Sequence, residues 1–121
     1  MKKITMLLLL FVAAACFGNN QHDHHAQQKQ TQSGHAMISL PTMQCNTCVE
    51  TIKKTVEKVE GVKSIVIDLK EKMAHVTFDP TKTSQEKIGK AIAAAGYDAN
   101  NTKRDEKAHA KLPKCCQSKR K

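Results

Sequence analysis

The chain has 121 residues and carries 20 lysines and arginines against 11 aspartates and glutamates, a formal charge of +9. Once its polar flanks are set aside, about 70 residues remain to build a core, which excludes more than one small domain. Aromatics make up 3% of the residues and tryptophan is absent, so the lysines lack the stacking platforms of a nucleic-acid surface and suit a solvated face or an acidic partner.

Met1-Lys2-Lys3 and the apolar run from Ile4 to Ala15 have the charged start, short greasy middle and small-residue end of a secretory signal. The run is shorter than the roughly 20 residues of a membrane span, so residues 1–16 are expected to direct export to the periplasm and to be removed or anchored. Their end, Ala13-Ala14-Ala15-Cys16, resembles a bacterial lipobox with Ala13 where leucine is usual. On that reading Cys16 is lipidated and tethers the protein to the membrane. Ordinary cleavage after Ala-x-Ala would instead leave it a free thiol.

Residues 17–35 are too polar to repay the entropy of ordering and read as a flexible tether. Within them His22, Asp23, His24 and His25 are consecutive, with His35 beyond. Clustered imidazoles suit borderline ions such as Zn(II), Ni(II) or Cu(II), so His22, His24 and His25 are candidates for an additional metal site, or else belong to a plain polar spacer.

The folded part opens with Ile38 and Leu40 alternating with polar neighbours, a strand ended by Pro41. Val49, Ile52, Val56 and Val59 then form one helical stripe, stopped at Gly61. Ile65, Ile67 and Leu69 alternate, Glu71-Lys72 turns the chain, and Ala74, Val76 and Phe78 alternate again, which reads as a hairpin with one buried face. His75, between Ala74 and Val76, points to the opposite, solvent face. Thr83 with Glu86 makes a capping-box pattern before a second stripe of Ile88, Ala91, Ile92 and Ala95, ended by Gly96. A last strand is expected from Tyr97 to Thr102.

The order strand, helix, strand, strand, helix, strand predicts an α+β, ferredoxin-like fold: a four-stranded antiparallel sheet with both helices on one face and flexible N- and C-terminal extensions.

Between the first strand and the first helix lies Met43-Gln44-Cys45-Asn46-Thr47-Cys48. Two residues between the cysteines let both sulfurs point at a common centre, and the free N–H groups of the helix start favour thiolates. Two thiolates satisfy a soft d¹⁰ ion, Cu(I) or Hg(II), whereas Zn(II) wants four ligands and fits this pair less well. Low coordination leaves the ion open to an incoming thiolate, so transfer to another thiol carrier or to a metal-transporting membrane protein is the implied mechanism, without catalysis. Tyr97 falls at the same end of the sheet, where its ring can shield the sulfurs and its hydroxyl can bond near them, or else it is a plain tyrosine at the core edge.

Residues 36–104 resemble the heavy-metal-associated domain, the module of copper chaperones, metal-pumping ATPases and periplasmic mercury-binding proteins. The family pattern Met-x-Cys-x-x-Cys falls on Met43, Cys45 and Cys48. Val59-Glu60-Gly61-Val62, Val76-Thr77-Phe78-Asp79 and Ala95-Gly96-Tyr97 are similar to its later landmarks. The resemblance implies metal transport or detoxification, with Cys45 and Cys48 as ligands and Met43 as a core plug beneath the loop. Thr42 departs from the pattern, which usually has glycine there.

The basic tail, residues 105–121, ends near the vicinal pair Cys115 and Cys116. If it leaves the sheet at the far end, the eleven residues from Arg104 to Cys115 reach at most about 36 Å extended and about 16 Å as helix. The strand to be retraced covers about 20–23 Å. A partly extended tail could therefore just bring both thiols back as additional soft ligands, at the main site or as a second one; otherwise they belong to a dangling, easily oxidised tail. Two other functions fit the residues less well. A thiol–disulfide oxidoreductase would use Cys45 and Cys48 but lacks an aromatic beside the motif and a proline facing it. A membrane-surface adaptor would bind metal only incidentally.

Overall fold

The structure, a computed structural model, describes residues 32–117. The signal segment, Cys16 and the cluster of His22, His24 and His25 lie outside the described residues. Among those described, the chain forms β1 (Gly34–Ser39), α1 (Asn46–Glu57), β2 (Val62–Asp68), β3 (Met73–Phe78), α2 (Gln85–Ala94), α3 (Glu106–Ala110) and a 3-10 turn, Lys114–Cys116. β1 begins at Gly34, so His35 belongs to the sheet, paired with Thr77, and not to the tether.

The sheet has the order β1-β3-β2 and both pairings are antiparallel. Alternation along each strand follows from the pleat, which sends successive side chains to opposite faces. Ala36, Ile38, Ile65, Ala74, Val76 and Phe78 are buried on one face, against Ile52 and Val56 of α1 and Ile88 and Ile92 of α2. On the other face Met37 and Val66 flank His75 across the register and remain exposed. The hairpin turns where the Asp68 carboxylate accepts the N–H groups of Lys70 and Glu71, at 2.8 and 2.9 Å. Gly61, at φ +90, swings the chain from α1 into β2.

Three sequence expectations are corrected here. The first is the cap of α2: the cap residue is Ser84, whose hydroxyl accepts the Lys87 N–H at 3.3 Å, and the buried Thr83 hydroxyl has no hydrogen-bond partner. The second is the fourth strand: among the described residues the sheet has three strands. Residues 97–102 do not extend along β1 because Asn100 takes a left-handed conformation, φ +50, and folds the chain back within four residues. Ala99 and Thr102 bond each other across this turn at 3.0 and 2.9 Å. Asn100 reaches the β1 edge, donating to the Ser39 carbonyl (2.9 Å) and accepting the Ser39 N–H (2.8 Å).

The third correction concerns the C-terminal extension, which is docked along residues 105–117. Because the chain reverses at Asn100, it never travels to the far end of the sheet. Asp105 donates its N–H to the Ala93 carbonyl at the end of α2 (2.9 Å) and caps α3 by accepting the Ala108 N–H (2.8 Å). His109 is buried, and its Nδ1–H donates to the Gly96 carbonyl at 2.8 Å. Gly96 has φ +99, and a Cβ there would lie 2.7 Å from the His109 nitrogen, so α3 rests directly on a glycine backbone. Gln117 then donates to the Leu112 and Ala110 carbonyls, closing the 3-10 turn against α3.

Candidate metal centre

Pro41 ends β1, and residues 40–43 turn tightly, with Met43 N–H donating to the Leu40 carbonyl at 3.0 Å. The Thr42 hydroxyl, buried, accepts the Asp98 N–H at 2.9 Å and ties this turn to the chain leaving α2. Thr42 is therefore a brace between the two segments flanking the site, a role open to a hydroxyl and closed to glycine. Met43 is fully buried in the core cluster with Ile38, Leu40 and Tyr97.

Cys45 occupies the N-cap of α1 with an extended backbone and is half-buried; Cys48, in the first turn, is fully buried. Their sulfurs are 3.3 Å apart. The docked tail brings the other pair to the same place. Cys116 Sγ lies 3.6 Å from Cys45 Sγ, and Cys115 Sγ 3.8 Å from Cys116 Sγ. The sulfurs of Cys45, Cys115 and Cys116 all lie within 4.8 Å of one another. All four thiols are free of disulfides; Cys115 is exposed and Cys116 fully buried.

The electrostatics divide the sulfurs. The Cys48 backbone N–H faces the Cys45 sulfur without closing a cap hydrogen bond, and it combines with the Cys115 thiol to lower Cys45 to about 6. Cys45 is thus a thiolate at neutral pH. Burial pushes the Cys116 thiol well up, reinforced by the neighbouring Cys48. Tyr97 is fully buried, and burial followed by its contact with Cys116 drives its hydroxyl far above the usual phenol range. With Cys116 and Thr51 as polar neighbours, that hydroxyl nonetheless has no partner within hydrogen-bond distance.

A linear ion between two thiolates at about 2.3 Å needs its sulfurs about 4.6 Å apart. To hold such an ion, Cys45 and Cys48 would have to spread by about 1.3 Å from their 3.3 Å separation.

The sequence pattern of the heavy-metal-associated domain matches residues 38–98. The chain belongs to this family. The mercuric transport protein periplasmic component of Alcaligenes sp is 46% identical over 63 residues, which are 52% of this chain and 69% of the relative. The crystal structure of oxidised MerP from Ralstonia metallidurans CH34 is 41% identical with a TM-score of 0.55, over 56% of this chain and 94% of that one. A copper-binding domain from HMA7, a P-type ATPase, is 27% identical with a TM-score of 0.53, over 55% of this chain and 89% of that domain. The family assignment carries heavy-metal binding in transport or detoxification. The matched residues contain Cys45 and Cys48 and end before Cys115 and Cys116.

Of the residues singled out in the sequence, Cys45, Cys48, Met43, Tyr97, Cys115 and Cys116 meet at one end of the molecule. His22, His24, His25 and Cys16 fall outside the described residues. Residues that sequence reasoning missed are His109 and Asp98. Asp98 accepts the Arg104 N–H at 2.8 Å while its own N–H meets Thr42, so it sets both the turn and the brace. The unusual Thr42 was the only signal for that pairing, and an isolated His109 in a basic tail offered none. No helix among the described residues is long and apolar enough to cross a membrane.

Proposed function

We propose that this protein is an exported carrier that captures a soft metal ion, Hg(II) or Cu(I), between Cys45 and Cys48 and passes it by thiolate exchange to a metal-transporting membrane protein or another thiol carrier. The observation that carries this reading is the half-exposed Cys45 sulfur, 3.3 Å from a second sulfur at a helix N-terminus, where its thiol is lowered to about 6. A nucleophilic, accessible sulfur is what first contact and exchange require, and neither step calls for catalysis. The names of the relatives support the same cargo class: mercuric transport periplasmic components on one side, a copper-binding ATPase domain on the other. Hg(II) is the first ion to test because the mercuric relative is the more similar. Export rests on the signal-like residues 1–16, with Cys16 as the lipid-bearing tether, and is supported by relatives described as periplasmic.

Competition among Hg(II), Cu(I) and Zn(II) for the reduced protein, read by native mass spectrometry, tests the proposal. One tightly held Hg(II) or Cu(I), lost in Cys45→Ser/Cys48→Ser, is expected. Indifference to both soft ions, or unchanged binding in Cys45→Ser/Cys48→Ser, would overturn it.

A further inference from the structure

The geometry points to a single four-sulfur centre in which Cys115 and Cys116 of the docked tail join Cys45 and Cys48 around one thiophilic ion. The inference rests on the metal-carrier reading above and deepens it, by assigning two further ligands and a wider class of cargo.

Distances carry it first. A tetrahedral ion with sulfurs at about 2.3 Å places them about 3.8 Å apart. Cys45 and Cys116 stand at 3.6 Å and Cys115 and Cys116 at 3.8 Å, so this spacing already exists before any ion arrives. Cys48, 3.3 Å from Cys45, is not one of the three sulfurs that already lie within 4.8 Å of one another, and it completes the set by closing toward the tail pair.

The docking of the tail is the second support. It is held by the Asp105 and His109 hydrogen bonds to the end of α2, and Cys116 is part of the hydrophobic core. A dangling appendage would not place one sulfur of a vicinal pair in the core and leave the other in water beside Cys45. Vicinal cysteines hold their sulfurs on neighbouring residues, and the 3-10 turn aims both at the loop.

A third observation is independent of the cysteines. The Tyr97 hydroxyl is fully buried beside Cys116 and unpartnered, a condition that costs free energy unless something at the site accepts its proton. A metal-bound thiolate of Cys116 is such an acceptor. Each thiol that ligates gives its proton to solvent as its bond to the ion forms, and Cys45 binds as the thiolate it already is; no electron is transferred.

The chemical consequence is a change in cargo. Two thiolates suit Hg(II) and Cu(I), but four also satisfy Cd(II) and Zn(II), which the Cys45–Cys48 pair alone does not. Closing the tail would hold an ion firmly, and opening it would expose the two-sulfur form that exchanges.

X-ray absorption on the reduced full chain, loaded with one equivalent of Hg(II) or of Cd(II), counts the sulfurs directly and needs no substitution. Three or four sulfurs around Cd(II) are expected in the unsubstituted protein. Cys115→Ser, at an exposed position, should lower the count by one. Cys115→Ser/Cys116→Ser should leave two sulfurs around Hg(II) and weaken Cd(II) binding by at least about 100-fold, at or beyond the usual effect of losing an outer-shell partner. Two sulfurs around both ions in the unsubstituted chain would overturn the shared centre while leaving the carrier reading intact. Retained tight binding in Cys45→Ser/Cys48→Ser would overturn both, since the tail would then act alone.

Discussion

Gly96→Ala tests how the tail is held without touching any sulfur. At φ +99, alanine is in a conformation that costs about 1–3 kcal/mol, and its Cβ would meet backbone, not a mobile side chain: 2.7 Å from His109 N, 2.8 Å from His109 Cα and 3.0 Å from Ala108 C. No rotamer relieves that contact, so α3 must lift. Lifting it breaks the His109–Gly96 and Asp105–Ala93 hydrogen bonds, worth about 0.5–1.5 kcal/mol each, and uncovers Cys116. Relief by detaching the tail leaves the strand pairings of β1, β2 and β3 and the hydrogen bonds within α1 and α2 in place. The variant should therefore stay folded, about 2–6 kcal/mol less stable in urea melts followed by circular dichroism. Cys116, buried in the parent, should react with an aromatic disulfide as fast as the exposed Cys115, with the labelled residue identified by peptide mass. His109→Ala should give a milder form of the same exposure. Equal protection of Cys116 in folded Gly96→Ala and in the parent would refute the reasoning.

Tyr97→Phe removes a buried hydroxyl that has no partner, so the reduced metal-free protein should gain about 1–3 kcal/mol in urea unfolding, whereas its Hg(II) complex should lose affinity; a clear loss of metal-free stability would mean the hydroxyl is bonded. Alkylation of Cys45 by iodoacetamide should be fast and flat at neutral pH and fall away as pH drops through about 6, because only the thiolate attacks. Since this value is depressed on folding, its contribution to stability is complete above the unfolded thiol value near 9 and is lost as pH falls through about 6. Cys115→Ser should move the alkylation midpoint upward, and an unmoved midpoint would remove Cys115 as a cause. Ser84→Ala should cost about 1 kcal/mol for the lost α2 cap while Thr83→Val costs nothing, and the reverse order would restore the capping box.

The helices, the hairpin and the position of the Cys45–Cys48 loop were legible because apolar residues recur at helical or strand spacing over several turns. The fourth strand was misread for a local reason: Tyr97, Ala99 and Thr102 look like alternation, but Asn100-Asn101 is a turn pair, and Asn100 takes the left-handed conformation. With no strand from residue 97 to 102, the tail starts beside Ser39 and not at the far end of the sheet. The thiols return all the same, by the shorter path that the turn opens. The Thr83–Glu86 capping box does not form: Ser84, with the extended backbone of a cap, accepts the Lys87 N–H, and residue 87 is a lysine with no carboxylate to return the bond. His109 was invisible, since its burial depends on a bare carbonyl at Gly96, thirteen residues away.

Two of the clustered sulfurs face water and two face the core: Cys45 and Cys115 in front, Cys48 and Cys116 behind. An ion held by the proposed centre would keep one open hemisphere. A recipient's thiol would then approach across the rim formed by the front pair, which would fix the docking orientation of an exchange partner before contact.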